Sequence, residues 1–179
     1  MDKTSNNLLI FDLDETLVHA TSKELPIQEE FKFDKYYVYK RPHLDWFLKE
    51  IVKHFKVGVW SSADDTYVNG IVRQIMPEEL ELEIIWGRSR CSYKRNIDSD
   101  ECFYEKRLSK LKKHGFRLEN IIIVDDTPEK SRANYGNAVH IKEFSGDLND
   151  NELEYLYNYL LTLKSIENIR TVEKRYWRK

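Results

Sequence analysis

The residues in this 179-residue chain best placed for chemistry are carboxylates that close apolar runs. Asp12-Leu13-Asp14-Glu15-Thr16 follows Leu8 to Phe11, and Asp125-Asp126 follows Ile121 to Val124. A third run, Val57-Gly58-Val59-Trp60, ends in Ser61-Ser62. Continuous apolar runs suit strands buried on both faces, and such strands with helices between them form parallel sheets. Ligands of parallel sheets bind beyond the carboxyl ends of the strands, so the three polar clusters are expected at one edge. Taken alone, the Asp-Leu-Asp-Glu-Thr string also reads as a capped turn, its Asp and Thr satisfying backbone donors. Two acidic clusters brought together would repel, however, and a hard dication resolves the conflict. Mg²⁺ takes oxygen ligands, typically carboxylates, waters and substrate phosphate. Phosphoryl transfer then fits the remaining parts. Its catalysis is positioning and charge stabilisation, and a carboxylate nucleophile splits the displacement into two steps.

The elements that must position these groups are legible. Leu44, Phe47, Leu48, Ile51, Val52 and Phe55 have helical spacing after Pro42. Tyr67, Val68, Ile71, Val72 and Ile75 form a second stripe, ended by Pro77. Tyr104, Leu108 and Leu111 suggest a third helix that carries Lys106 and stops at Gly115. Leu153, Leu156, Tyr157, Leu160 and Leu163 follow the cap candidates Asn149 and Asp150. Residues 29–41 predict a β-hairpin turning near Asp34-Lys35, and residues 80–103 a small β insertion with an acidic loop, Asp98-Ser99-Asp100-Glu101. The basic tail, Arg170 to Lys179 within residues 166–179, is expected to fray.

Composition narrows the function. Twenty-nine Lys+Arg against 31 Asp+Glu give a net charge of −2, which provides no field for nucleic acid or a membrane surface. Cys91 and Cys102 lack zinc spacing and are too few for a disulfide scaffold. The scattered histidines lack ligand spacing, no P-loop occurs, and neither cysteine precedes a phosphatase-type arginine turn. A polar N-terminus and short apolar runs suggest a soluble, intracellular, single-domain chain.

The segment Asp12-Leu13-Asp14-Glu15-Thr16-Leu17-Val18-His19 resembles the first motif of the haloacid-dehalogenase superfamily, in the form used by its C-terminal-domain phosphatase branch, the NLI-interacting-factor-like phosphatases. Further stretches match that branch in order. They are Tyr39-Lys40-Arg41-Pro42-His43-Leu44-Asp45, Val59-Trp60-Ser61-Ser62, Tyr104 to Leu111 and Ile123-Val124-Asp125-Asp126-Thr127-Pro128, with a weaker match at Asn137-Ala138-Val139. The resemblance spans residues 8–163 and implies a haloacid-dehalogenase-like α/β fold, a Rossmannoid parallel sheet flanked by helices. It implies that Asp12 attacks phosphorus and ligates Mg²⁺. Asp14 would be general acid and then base, its carbonyl on the metal. Asp125 would ligate directly and Asp126 through water, while Thr16, Ser61 and Lys106 hold the phosphoryl oxygens. Lys106 otherwise reads as one more solvated lysine. Arg88, within Gly87-Arg88-Ser89-Arg90-Cys91, matches an arginine facing the phosphate and equally suits a surface β-ribbon. Arg41 reads as a structural residue at the helix entry.

The resemblance implies phosphoserine or phosphothreonine in a flexible protein segment as substrate, and the short gaps between motifs imply the short cap and open site of that branch. The aromatic residues around 31–39 would line a peptide groove or pack the hairpin on the core. A small-metabolite phosphatase on the same machinery remains an alternative, as does a non-catalytic module that binds phosphopeptides or proteins. Retention of Asp12, Asp14, Lys106 and Asp125 favours catalysis over the module. The chain departs from the branch in the longer, more acidic stretch Arg95 to Phe103, and in Ser61 where many members carry Thr.

Overall fold

The computed structural model describes residues 6–95 and 102–178. The acidic loop Asp98 to Glu101 lies outside the described residues. Its frame is a parallel sheet of β1 (Leu8–Phe11), β5 (Lys56–Trp60), β6 (Ile85–Trp86), β9 (Ile121–Asp125) and β10 (Ala138–His140), in the order β10-β9-β1-β5-β6. Leu9, Phe11, Val57, Val59, Ile122 and Val124 face one side and Leu8, Ile10, Ile121 and Ile123 the other. Both sides are covered, which is why these strands are apolar without alternation.

Helices α1 (Leu44–Ile51), α2 (Asp65–Ile75) and α3 (Glu152–Leu163) all pack on the first side through the stripes read from sequence. The other side, which also carries Trp60 and Trp86, meets Leu108 and Leu111. Here the structure corrects the expected third helix. Residues Cys102–Glu105 form β8, paired antiparallel with β7 (Ser92–Arg95), and Leu108–His114 form a 3-10 helix. Leu108 and Leu111 are three apart, so either helix type presents both to the sheet, and Gly115 ends the segment at φ 84°. Lys106 therefore sits in the link between β8 and that segment, not on a helix.

The stretch 80–103 divides in two. Its first part supplies β6, the edge strand of the main sheet, and its second contributes to the β7–β8 hairpin. The other hairpin, β3 (Phe31–Phe33) with β4 (Tyr36–Lys40), turns at Asp34-Lys35 as expected, with Asp34 at φ 52°. It is joined by β2 (Val18–Thr21), which pairs with β4. The expected fraying of the tail is also corrected. The Lys174 ammonium donates to the carbonyls of Gly136, Ile169 and Val172, and the Trp177 ring N–H donates to the His140 carbonyl at the end of β10.

Arg41 ties the loop after β1 to the start of α3. Its guanidinium grips Asp150 at 2.8 and 2.9 Å and donates to the carbonyls of Thr16 and Lys142 at 3.0 and 2.7 Å. Both side chains are almost wholly buried. Replacing Arg41 by Met strands a buried carboxylate, so urea unfolding should show a loss of about 3–5 kcal/mol. Lys40→Met, which breaks a pair with the largely exposed Asp45, should cost no more than about 1 kcal/mol.

Candidate active site

Parallel register brings the acids together. Phe11 lies level with Val124 and Val59, and the Asp12 N–H continues the ladder to the Val124 carbonyl at 2.9 Å. Asp12 and Asp125 thus emerge side by side from β1 and β9. Beyond Asp12 the chain turns sharply. Leu13 N–H donates to Asp12 Oδ1 at 2.8 Å, Leu17 N–H to the Leu13 carbonyl, and Glu15 takes φ 57°. This turn buries Thr16, whose hydroxyl lies 3.3 Å from Asp126 Oδ1, and directs Asp14 to the mouth.

Lys106 is fully buried, with its Nζ 2.8 Å from Asp12 Oδ1 and 2.6 Å from Asp125 Oδ2. Its own N–H donates to the Lys130 carbonyl at 2.8 Å and its carbonyl accepts from the Asn134 amide. A second ammonium, Lys130, approaches from the segment Pro128–Asn137, with Nζ 2.9 Å from Asp12 Oδ2. The sequence reading missed it. The available signal was its place four residues after Asp126, just inside the helical segment that Pro128 opens. Tyr67, read only as part of the α2 stripe, also reaches the site. Its phenol donates to Asp14 Oδ1 at 2.5 Å.

Ser61 is buried at the end of β5, where its hydroxyl oxygen accepts from the Ala63 N–H. Arg88 stands on the rim. Its Nε donates to the Ser62 carbonyl at 2.9 Å, and its guanidinium lies over Tyr104. The preceding Gly87 permits this turn, because a Cβ there would come within 2.8 Å of the Asp65 Cα. A groove of about 650 Å³ runs from Asp14 past Glu15, Phe33, Tyr36 and Tyr67 to Arg88.

Charge explains the site's tuning. Burial would raise Asp12, but the Lys106 and Lys130 ammoniums outweigh it and hold Asp12 below the usual carboxylate range. Burial and the Asp12 charge push Asp125 up to about 7 despite Lys106. Burial, reinforced by Asp12 and opposed by the Tyr67 hydrogen bond, raises Asp14 to about 6. Burial would lower Lys106, yet Asp12 and Asp125 keep it firmly protonated. Oxygens of Asp12, Asp125 and Asp126 lie within 4.8 Å of one another, a spacing that fits a hard divalent ion.

The sequence profile of the NLI interacting factor-like phosphatases matches residues 7–170. The chain belongs to this family. It is 30% identical over 171 residues to a probable C-terminal domain small phosphatase of Dictyostelium discoideum, covering 92% of this chain and 53% of that protein. It is 27% identical over 177 residues to nuclear envelope morphology protein 1 of Schizosaccharomyces pombe, covering 94% of this chain and 35% of that one. A third relative, CTD small phosphatase-like protein 2 of Dictyostelium discoideum, is 29% identical over 90% of this chain, which spans 28% of it. The chain thus matches only a portion of these relatives. Among solved structures, the fission yeast RNA polymerase II CTD phosphatase Fcp1 bound to beryllium fluoride superposes with a TM-score of 0.59 at 17% identity, covering 93% of this chain and 53% of that one. A haloacid dehalogenase-like hydrolase from Xanthomonas campestris gives 0.58 at 8% identity, covering 92% and 99%. These likenesses establish the haloacid-dehalogenase-type α/β fold. Among the described residues, no helix is long and apolar enough to cross a membrane.

The Asp14 environment has a thermodynamic signature. Folding raises its pKa from the ordinary 3.8 to about 6, so the folded chain keeps a proton that the unfolded chain releases. The linked stability is complete below the unfolded value and is lost as pH rises through the folded one. Asp14→Asn removes that loss. Relative to wild type, its urea-unfolding free energy should improve by about 1–3 kcal/mol between about pH 4 and pH 7. An equal difference at both pH values would contradict the assignment.

Proposed function

We propose that this domain is a Mg²⁺-dependent phosphomonoesterase that works through a phosphorylated Asp12. The observation that carries the reading is the gathering of Asp12, Asp125 and Asp126 oxygens within 4.8 Å, with the buried Lys106 ammonium paired to Asp12 and Asp125. Residues Asp12, Asp125 and Asp126, with the Asp14 carbonyl, would hold the ion, which when bound supplies positive charge to the phosphoryl oxygens.

Asp12 suits the nucleophile because its ammonium neighbours keep it ionised. One carboxylate oxygen forms a bond to phosphorus as the bond to the substrate oxygen breaks. Asp14, protonated up to about pH 6, donates its proton to the leaving alkoxide. Asp14 then takes a proton from water, whose oxygen attacks the aspartyl-phosphate phosphorus and releases inorganic phosphate. Lys106, Thr16 and Ser61 would steady the phosphoryl oxygens, with Arg88 adding charge from the rim. Preorganised donors of this kind supply much of the rate in phosphoryl transfer.

The groove favours phosphoserine or phosphothreonine in an extended protein segment as substrate. Its walls are the β3–β4 hairpin and the start of α2, and its Phe33, Tyr36 and Tyr67 rings offer apolar surface next to Asp14. A chain can lie along such a groove, whereas a small metabolite would bury little of it.

Hydrolysis of p-nitrophenyl phosphate should require Mg²⁺ and fall by about 10³-fold or more in Asp12→Asn, because an amide cannot form the acyl phosphate. Full activity in that variant would end the covalent mechanism. Phosphopeptides should be turned over in preference to a panel of sugar and nucleotide phosphates. The reverse order would select the metabolite reading.

A further inference from the structure

Asp12, Asp125 and Asp126 face two ammonium groups that differ in one respect. Lys106 has no exposed side-chain surface, and its backbone is clamped on both sides by the segment Pro128–Asn137. Lys130 is also hydrogen-bonded to Asp12, but 21% of its side chain is exposed, so it has a route to solvent. The oxygens it holds also matter. Asp12 Oδ1 is committed to Lys106 and to the Leu13 N–H. Lys130 takes the other oxygen, Oδ2, at 2.9 Å, and its Nζ lies 4.0 Å from Asp126 Oδ1. It therefore bridges two of the three carboxylates whose oxygens gather within 4.8 Å.

We infer that Lys130 is a displaceable internal counter-ion of the metal site, holding the oxygens of Asp12 and Asp126 until a divalent cation takes them. This rests on the metal reading proposed above. A dication binds carboxylate oxygen at about 2.0–2.1 Å, so an ammonium hydrogen-bonded to the same oxygen would lie within a few ångströms of it. Like charges that close in a partly desolvated site repel strongly, and the two cations compete. Lys130 can yield because part of its side chain already reaches solvent, and Lys106 stays to hold Asp12 Oδ1 and Asp125. Two consequences follow. Asp12 Oδ2 is not left without a cation beside it, and the site takes its metal less tightly than its carboxylates alone would.

Calorimetric titration with MgCl₂ tests this directly on wild type and Lys130→Met. The variant should bind Mg²⁺ more tightly, by about tenfold or more. A second measurement needs no variant. Reductive methylation of wild-type lysines, read by mass spectrometry, should modify Lys130 several-fold faster with saturating Mg²⁺, while Lys106 stays protected. Wild-type binding of Mg²⁺ with no gain in Lys130→Met would overturn the inference and leave the metal reading standing. So would saturation that leaves Lys130 methylation unchanged. If neither protein binds Mg²⁺, the metal reading fails and the inference fails with it.

Discussion

Carboxylates in a protein interior lose water and repel one another, so a cluster of them persists only if something of opposite charge is fixed among them. Here that fixture is the Lys106 ammonium, wedged between Asp12 and Asp125 with no solvent contact. It works only because β1 and β9 are parallel and in register, so that residues far apart in sequence leave the sheet at one level. The link after β8 must also deliver a lysine to that level, and hydrogen bonds to the Lys130 carbonyl and the Asn134 amide hold it there. Sheet register, the clasp on Lys106 and the charge pairing are one constraint seen at three scales. A slip of β9 by one residue would turn Asp125 to the opposite face and take from the buried Lys106 one of its two carboxylate partners.

Around this fixed centre the remaining elements are more open. The β3–β4 hairpin leans on α2, where Phe33 and Tyr36 meet the Tyr67 ring edge-on at 5.8 Å. Gly70 makes that approach possible, since a Cβ at its position would overlap the Phe33 ring. The same Tyr67 donates its hydroxyl to Asp14. Hairpin packing is thereby coupled to the orientation of the carboxylate at the mouth, so a residue in an apolar helix stripe also serves a polar site. The opposite edge is finished differently. The tail docks along the β10 side, with Lys174 answering three carbonyls and, among the described residues, no carboxylate, and burial lowers its pKa to about 8.

Much of this was legible in the chain. The strands β1, β5 and β9 announce themselves as unbroken apolar runs, the helices α1 to α3 as stripes, and the hairpin turn as Asp34-Lys35. Polar residues at three strand ends marked the sheet edge where the candidate site lies. What escaped was short or non-local. Strand β10 has three residues, too few for a periodic signal, and the two residues of β6 lay in a stretch read as β but not as an edge of the main sheet; each gains stability only from a neighbour already in the sheet. Tyr104 has the spacing of a helix but pairs with Tyr93 in β7–β8, so tertiary pairing outweighed local pattern. Lys130 looked like any solvated lysine because its partner, Asp12, lies 118 residues away. The tail looked free for a similar reason, since the carbonyl that receives the Trp177 N–H is 37 residues distant. A sequence window reports what a segment can do alone, and these residues act only on what other segments bring to them.

The two aspartates of the first motif show how finely such surroundings divide identical chemistry. Asp12 and Asp14 are separated by Leu13, whose buried side chain anchors the turn between them. Asp12 points inward to two ammoniums and is held ionised. Asp14 turns to the mouth, where burial and the Asp12 charge prevail over the Tyr67 hydrogen bond and keep its proton to about pH 6. The proposed reaction needs this inequality, because a nucleophile must be bare while its neighbour still holds a proton for the leaving group. Neither residue could supply it alone. The charge that would serve Asp12 as the proposed nucleophile is also part of what holds the proton on Asp14, so the two proposed roles would arise from one electrostatic arrangement and not from two separately tuned sites.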